Sequence, residues 1–245
     1  MPLTLLNTNG TGNLQLVNNT NSGRFNVSNT STSTVVTDGL TLQLDANSAS
    51  SYPGSGTTWF DLAGAQQNIT LVGSPTYTST APSYFTFNGS SQRGSGTGAV
   101  LTSTSYTKSV WFYLNAVADN NLVSSDVGGH FMFFGGTSTL YCGHANWPSY
   151  TVFGSSISFN LNTWYNATLT FNTTVGMVLY INGVQNATYT ANKTAHGGNS
   201  STNIASFGSG NLLNGRISKV YCYNKSLTAS EVLQNYNVDK SKFGL

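Results

Sequence analysis

Seven carboxylates, three histidines and two cysteines are what this chain of 245 residues offers for acid–base, nucleophilic or metal chemistry. The acids are Asp38, Asp45, Asp61, Asp119, Asp126, Glu231 and Asp239. Hydrolysis of an acetal such as a glycosidic bond usually takes two carboxyl groups held a few ångströms apart. Glu231 already has an explanation, because Thr228-Ala-Ser-Glu231 is a capping box at a helix start. Asp45 and Asp61 stand beside turns, where a carboxylate ordinarily accepts backbone N–H bonds. His130, His144 and His196 fall in Gly-rich, turn-like segments with no Gly-x-Ser-x-Gly elbow, which argues against a Ser/His/Asp site. His144 lies two residues after Cys142, a spacing that could seed a metal site. With no second Cys–His pair nearby, the expectation is an exposed loop histidine and no metal.

The stretch best suited to holding a ligand is Tyr141-Cys-Gly-His-Ala-Asn-Trp-Pro-Ser-Tyr150. Aromatic faces flanked by amide and imidazole groups suit sugar rings, which present C–H faces and hydroxyl edges. Trp147, Tyr141, His144 and Tyr150 are therefore the candidate ligand-binding residues. The competing reading is that Trp147 packs a subunit contact or the rim of the domain, since aromatic residues also gather at protein interfaces.

The elements that must position these residues read as β-strands. From Trp164 the chain alternates, with Trp164, Asn166, Thr168 and Thr170 on one side and Tyr165, Ala167, Leu169 and Phe171 on the other. An apolar run from Met177 to Ile181 follows, then Asn182-Gly183, then Val184. Asn-Gly between two such runs is the strongest short hairpin signal, because a type I′ turn needs positive φ at both central positions. Leu40, Leu42 and Leu44 alternate with Thr41 and Gln43 as a half-buried strand. Further strands are expected near 69–72, 84–87, 108–114, 122–124, 131–134, 139–142 and 151–153. Turn signals at intervals of roughly eight to twelve residues favour a two-sheet antiparallel sandwich over alternating βα units. The one convincing helix follows Thr228, with Leu227 and Val232 as a hydrophobic staple and Leu233 and Tyr236 continuing its apolar face over an edge or end of the sandwich.

Residues 1–37 stand apart as an N-terminal extension. Leu14-Gln-Leu-Val and Arg24-Phe-Asn-Val are short β-like runs, followed by a polar Ser/Thr linker over 28–34. They read either as extra edge strands on the main domain or as an anchor adding strands to a partner chain. In the second case Leu14, Leu16, Phe25 and Val27 are the partner-anchoring residues.

Four segments carry a family resemblance. Thr163-Trp-Tyr with Leu179-Tyr-Ile-Asn-Gly-Val resembles the central signature of the concanavalin A-like, laminin G-type jelly roll. Gly39 to Gly64 resembles the opening of the versions common in phage and other viral structural proteins. Phe85-Thr-Phe-Asn-Gly resembles the family's Phe-Asp-Gly strand and loop, and Leu213-Asn-Gly-Arg-Ile-Ser-Lys-Val-Tyr its closing strand. The resemblance implies one all-β jelly-roll domain over 38–245 with a short C-terminal helix. It also implies that Trp59, Trp111 and Trp164 are core residues. The family includes glycoside hydrolases, but the Glu-x-Asp-x-x-Glu strand of jelly-roll glucanases is missing here. Its usual calcium positions have lost their charge, at Asn88, Ser91 and Gln92 and at Ile217-Ser218-Lys219. No strong calcium site and no other cofactor is expected, while a weak site at Asn88 and backbone carbonyls stays open.

Composition narrows the function classes further. Only 7% of residues are charged and the net charge is +2, which gives no basic stripe for nucleic acid or anionic membrane. The 12% aromatic content argues for a packed core despite the low charge. No apolar run approaches the roughly 18 residues of a membrane helix, and no secretory leader is visible. Cys142 and Cys222 lack metal spacing; a single bridge between them stays open, and Cys222 shares a strand face with Val220. The expectation is a non-enzymatic virion structural protein, as capsid decoration, tail or fibre component. The extension would bind other virion proteins and the jelly roll a glycan or host surface, as a monomer or homo-oligomer. The alternatives are a stand-alone carbohydrate-binding lectin module and, behind it, a glycoside hydrolase.

Overall fold

A computed structural model of the protein describes residues 34–98, 101, 104–125, 129–146, 149–191, 193–195 and 201–245, with backbone alone at 146, 149 and 150. The candidate anchors Leu14, Leu16, Phe25 and Val27 lie outside the described residues, as does Trp147. The strands in chain order are β1 Leu40–Asp45, β2 Thr58–Trp59, β3 Ile69–Val72, β4 Thr76–Thr78, β5 Tyr84–Asn88, β6 Arg93–Thr97, β7 Ser105–Leu114, β8 Asp119–Asn121 and β9 Val123–Ser124. They continue as β10 His130–Gly135, β11 Thr139–Asn146, β12 Ser149–Ser158, β13 Trp164–Asn172, β14 Gly176–Ile181, β15 Val184–Tyr189, β16 Ser201–Ile204 and β17 Asn214–Tyr223. A helix α1, Ala229–Asp239, closes the fold.

The strands form two antiparallel layers, as a jelly roll requires. The main sheet runs β15-β14-β13-β7-β17-β5-β4, with β1 also on β17. The facing layer has two pieces, β12-β11-β10-β8 and β2-β3-β6-β16-β9. Backbone bonds from Leu122 N to Met132 O (2.8 Å) and from Ser125 N to His130 O (3.2 Å) join them. Where one strand is expected at 122–124, the chain instead makes β8 and β9 with Leu122 between them. That break lets β8 pair with β10 and β9 with β16.

The core between the layers follows from alternation. Val110 and Phe112 of β7, Leu169 and Phe171 of β13, Met177 and Leu179 of β14, and Val220 and Cys222 of β17 meet Met132, Phe134, Leu140 and Cys142 of the facing layer. Trp59 belongs to this core, with its ring 4.7 Å from Phe85. Gly94 explains why β6 is small-sided: a Cβ there would stand 2.7 Å from Ile69 Cγ2. Asn182 and Gly183 form the expected two-residue turn, with φ of 50° and 76° and Ile181 facing Val184. Cys142 and Cys222 are both buried and free.

The outer face of the main sheet carries a second apolar layer, where several expectations need correction. The capping box forms, with Glu231 N donating to Thr228 Oγ1 (3.3 Å) and Thr228 N to Glu231 Oε2 (2.8 Å). The staple residues Leu227 and Val232 pack together with Tyr180, Tyr221 and Tyr223. The helix therefore covers the outer face of the sheet, not an edge or end. Its buried side is Val232, Asn235 and Asp239, whereas Leu233 is 44% exposed. The polar members are held by specific bonds: Asn235 Nδ2 to Tyr223 Oη (2.9 Å), and Tyr221 Oη (2.9 Å) and Lys219 Nζ (2.6 Å) to Asp239. Trp111 and Trp164 also belong to this outer layer and not to the inter-sheet core. Trp111 stacks on Phe243 at 4.0 Å, and Trp164 lies against Phe243, Tyr84 and Tyr113. Val35 and Val36 join the same layer, and Val36 N donates to Asn235 Oδ1 (2.8 Å). Residues from Thr34 on therefore pack with the jelly roll, earlier than the boundary expected at 38.

Candidate functional site

Strand β10, His-Phe-Met-Phe-Phe-Gly, is apolar on both faces. Met132 and Phe134 enter the core, which leaves Phe131 and Phe133 on the outer surface, both only half buried. An ordinary outer face would be polar. Phe131 packs against Phe207 (5.5 Å between ring centroids), and Phe133 stacks on Tyr141 of β11 (5.6 Å, 28° between planes). Phe207 sits on a tight turn closed by reciprocal backbone bonds with Gly210, at 2.9 and 3.0 Å.

The rim is built by the next residue of that turn and by β8. Asn211 adopts a left-handed backbone, φ 48°, and its side-chain amide donates to Asp119 Oδ2. Asn121 N donates to the Asn211 carbonyl (3.1 Å), and Asn121 faces Phe133 across the β8–β10 pair. The result is a pocket of about 200 Å3 lined by Asp119, Asn121, Phe131, Phe133, Phe207 and Asn211. It is smaller than the ~300–1,000 Å3 of drug-sized sites and matches a single ring. An apolar floor with amides and one carboxylate at its edge can take a ring with C–H faces and hydroxyl edges, the faces on the aromatic rings and the hydroxyls at the polar rim.

The sequence-derived candidates divide around this pocket. Tyr141 is half buried and extends the aromatic floor through Phe133. Tyr150 lies in β12 opposite Ala145. His144 is not an exposed loop residue: it is 2% exposed in β11. Its Nδ1 is 2.9 Å from Tyr106 Oη and its Nε2 is 3.0 Å from the Thr194 carbonyl. His130 is likewise buried, its ring 4.5 Å from Tyr106. Both imidazoles serve the core, because inward-facing strand positions leave them no path to the surface.

Directly behind the pocket floor is a buried lysine that sequence reading missed. Lys108 lies on the inward side of β7, fully buried, with Nζ donating to the carbonyls of Phe131 (2.6 Å) and Gly143 (3.1 Å). Burial lowers its pKa to about 7, against an opposing pull from Cys142 and Cys222. Burial also pushes both thiols up to about 12, with Lys108 acting in the other direction. Both thiols are therefore protonated at neutral pH.

The remaining acids among the described residues have structural partners; Asp126 lies outside them. Asp61 accepts from the backbone N–H of Gln43 (2.8 Å) and Ala63 (2.8 Å), the turn role expected of it. Asp45 and Asp239 both bind Lys219, and Asp38 and Glu231 both bind Lys225. At the positions that the resemblance matches to the family's calcium ligands, Asn88 Oδ1 accepts from Ser90 N and Ser91 N (3.0 Å each), while Lys219 holds two carboxylates. Among the described residues Asp119 is the one acid lining the pocket, whereas glycoside hydrolysis usually uses two.

Comparison with known proteins agrees with the fold. Residues 87–233 match the family described as the concanavalin A-like lectin/glucanases superfamily. No curated protein matches the chain. Among solved structures it is similar to botulinum neurotoxin type C, in a study of its cell entry through two ganglioside molecules, with TM-score 0.65, 16% identity and coverage of 82% of this chain and 51% of the other. It is also similar to the binding domain of botulinum neurotoxin DC in complex with SialylT (TM-score 0.63, 16% identity, 82% and 52% coverage). A third is the binding domain of paraclostridial mosquitocidal protein 1 (TM-score 0.64, 17% identity, 82% and 52% coverage). The chain spans about half the length of these structures. With more than half of its residues inside the family match, and two antiparallel layers of the expected topology, this chain belongs to the concanavalin A-like lectin/glucanases superfamily.

Proposed function

We propose that this protein is a non-enzymatic glycan-binding jelly roll that holds a sugar in the pocket over β10 and serves as a structural component of a virion. The observation that carries the binding reading is the pairing of an exposed aromatic floor, Phe131, Phe133 and Phe207, with the Asp119–Asn211 rim. Exposed rings on one strand face are costly unless something covers them, and the polar rim selects a partner with both C–H faces and hydroxyls. Two of the similar structures concern a ganglioside or SialylT ligand, which supports the class of ligand but not its identity. The lone acid among the described lining residues supports binding without hydrolysis. A glycan array on the full chain should return hits. Asp119→Asn and Phe133→Ala should each weaken them about tenfold or more, with little change in melting temperature. Hits that survive both substitutions would place the sugar elsewhere.

The virion role is supported by the low-charge, Gly/Ser/Thr/Asn-rich composition and by the resemblance of residues 39–64 to viral jelly rolls. In this reading Leu14, Leu16, Phe25 and Val27 dock the extension on another virion protein by strand addition. Because residues 34–36 pack on the jelly roll, the test is a truncation beginning at Thr34. It should melt cooperatively and fail to join particles. A truncated chain that still assembles would remove the extension from that role.

A further inference from the structure

On the outer face of the main sheet, away from the pocket, Arg216 of β17 has an arrangement that packing alone does not explain. Its Cζ is 4.3 Å from the Tyr113 ring centroid and 4.8 Å from that of Tyr84. The Trp164 ring lies 5.5 Å from Tyr113 and 5.6 Å from Tyr84. All four residues are half buried. Among the described residues no hydrogen-bond acceptor and no carboxylate meets the guanidinium, and its Nε is buried without a partner. This contrasts with Lys219, Lys225 and Lys242, each of which has an acid within 3.2 Å.

We propose that Arg216, Tyr84, Tyr113 and Trp164 form a second binding site, specific for the carboxylate of an acidic pyranose, a nonulosonic or uronic acid. Two ring contacts fix the plane of the guanidinium, so its fork is set in place before a ligand arrives. The buried Nε is closed to a ligand, so the fork is the pair of Nη groups, which no acid among the described residues meets and which match the two oxygens of a carboxylate. The neighbouring Trp164 and tyrosine faces supply a stacking surface about one sugar ring wide. A single arginine favours one carboxylate over a polyanion, and four residues are far fewer than the roughly 20–30 a side of a stable protein interface. The site stands independently of the pocket over β10, which lies on the other layer.

The test is titration of the isotope-labelled full chain with N-acetylneuraminic acid, glucuronic acid, and the methyl ester of whichever binds. Indole signals are followed, with Trp164 assigned by Trp164→Phe. The acid should shift the Trp164 signal, which of the two acids does so identifies the source, and the uncharged ester should bind at least tenfold more weakly. Arg216→Lys, which keeps the charge and loses the fork, should weaken binding about tenfold with an unchanged melting curve. The ester comparison uses the wild-type chain and so does not depend on any variant folding. The proposal is overturned if neither acid shifts Trp164 or if the ester binds as well. It is also overturned if Arg216→Lys binds normally while Asp119→Asn does not, or if an acidic peptide binds Arg216 more tightly than both sugars.

Discussion

Replacing Lys108 by methionine should abolish a pH dependence of stability that the burial of this lysine predicts for the wild type. The folded pKa of Lys108 is about 7 because its ammonium is buried between the layers, whereas an unfolded lysine titrates near 10.5. Between these values the unfolded chain holds one more proton than the folded one, so stability rises with pH. The contribution is complete above about 10.5, declines as pH falls, and is lost once pH passes below about 7. At roughly 1.4 kcal/mol per pH unit the whole gap is worth on the order of 5 kcal/mol. The thiols limit the accessible part, since unfolded cysteines ionise near 9 while Cys142 and Cys222 stay protonated to about 12 in the fold. Above pH 9 they lower stability, and buried Tyr106 and Tyr221, raised well above 10 mainly by burial, add to the fall. Urea unfolding under reducing conditions should therefore show wild-type stability climbing by about 1–2 kcal/mol from pH 7 to 9, then declining. Lys108→Met should lose the rise and fall slightly toward pH 9 as the unfolded thiols ionise, whatever the cost of the two carbonyls it leaves at Phe131 and Gly143. A wild type that is flat or falling from pH 7 to 9, or a methionine variant that keeps the rise, would refute the reasoning.

Two further substitutions test the layers separately. Lys219→Met should destabilise by up to about 3 kcal/mol in urea unfolding, because it leaves the fully buried carboxylate of Asp239 with Tyr221 Oη and the exposed Lys242 as its partners. Burial alone would lower the Lys219 pKa, yet Asp239 and Asp45 together hold it above the ordinary value, so the lysine stays charged in the fold. Leu179→Ala, in the inter-sheet core, should cost about 2–5 kcal/mol through the cavity it leaves, and a cost under 1 kcal/mol would contradict its burial.

The strands were legible wherever one periodic signal decided them. Alternation from Trp164 and the Asn182-Gly183 turn locate β13, β14 and β15, and Thr228 to Glu231 locates the helix start. What the helix covers was not legible, because its buried side includes Asn235 and Asp239, whose partners lie about 200 and 20 residues away in sequence. The tryptophans illustrate the same limit: Trp111 and Trp164 are shielded as the resemblance implies, but by Phe243 on the outer face. His144 misled for a local reason, since glycine on one side suggests a loop while the register of β11 turns the ring inward against Tyr106. The pocket did leave a signal: an apolar outer face on His-Phe-Met-Phe-Phe-Gly, with Asp119 and Asn121 just upstream. Its other wall, Phe207 and Asn211, comes from a distant turn and has no sequence signature of its own.

The most direct test of the central claim is where a bound glycan sits. A glycan selected on an array, titrated into the labelled protein, should perturb the side-chain amides of Asn121 and Asn211 and the rings of Phe131, Phe133 and Phe207. Perturbations should saturate together and vanish in Phe133→Ala. Saturable binding whose shifts leave those five residues untouched would contradict the assignment of the pocket over β10 as the sugar site.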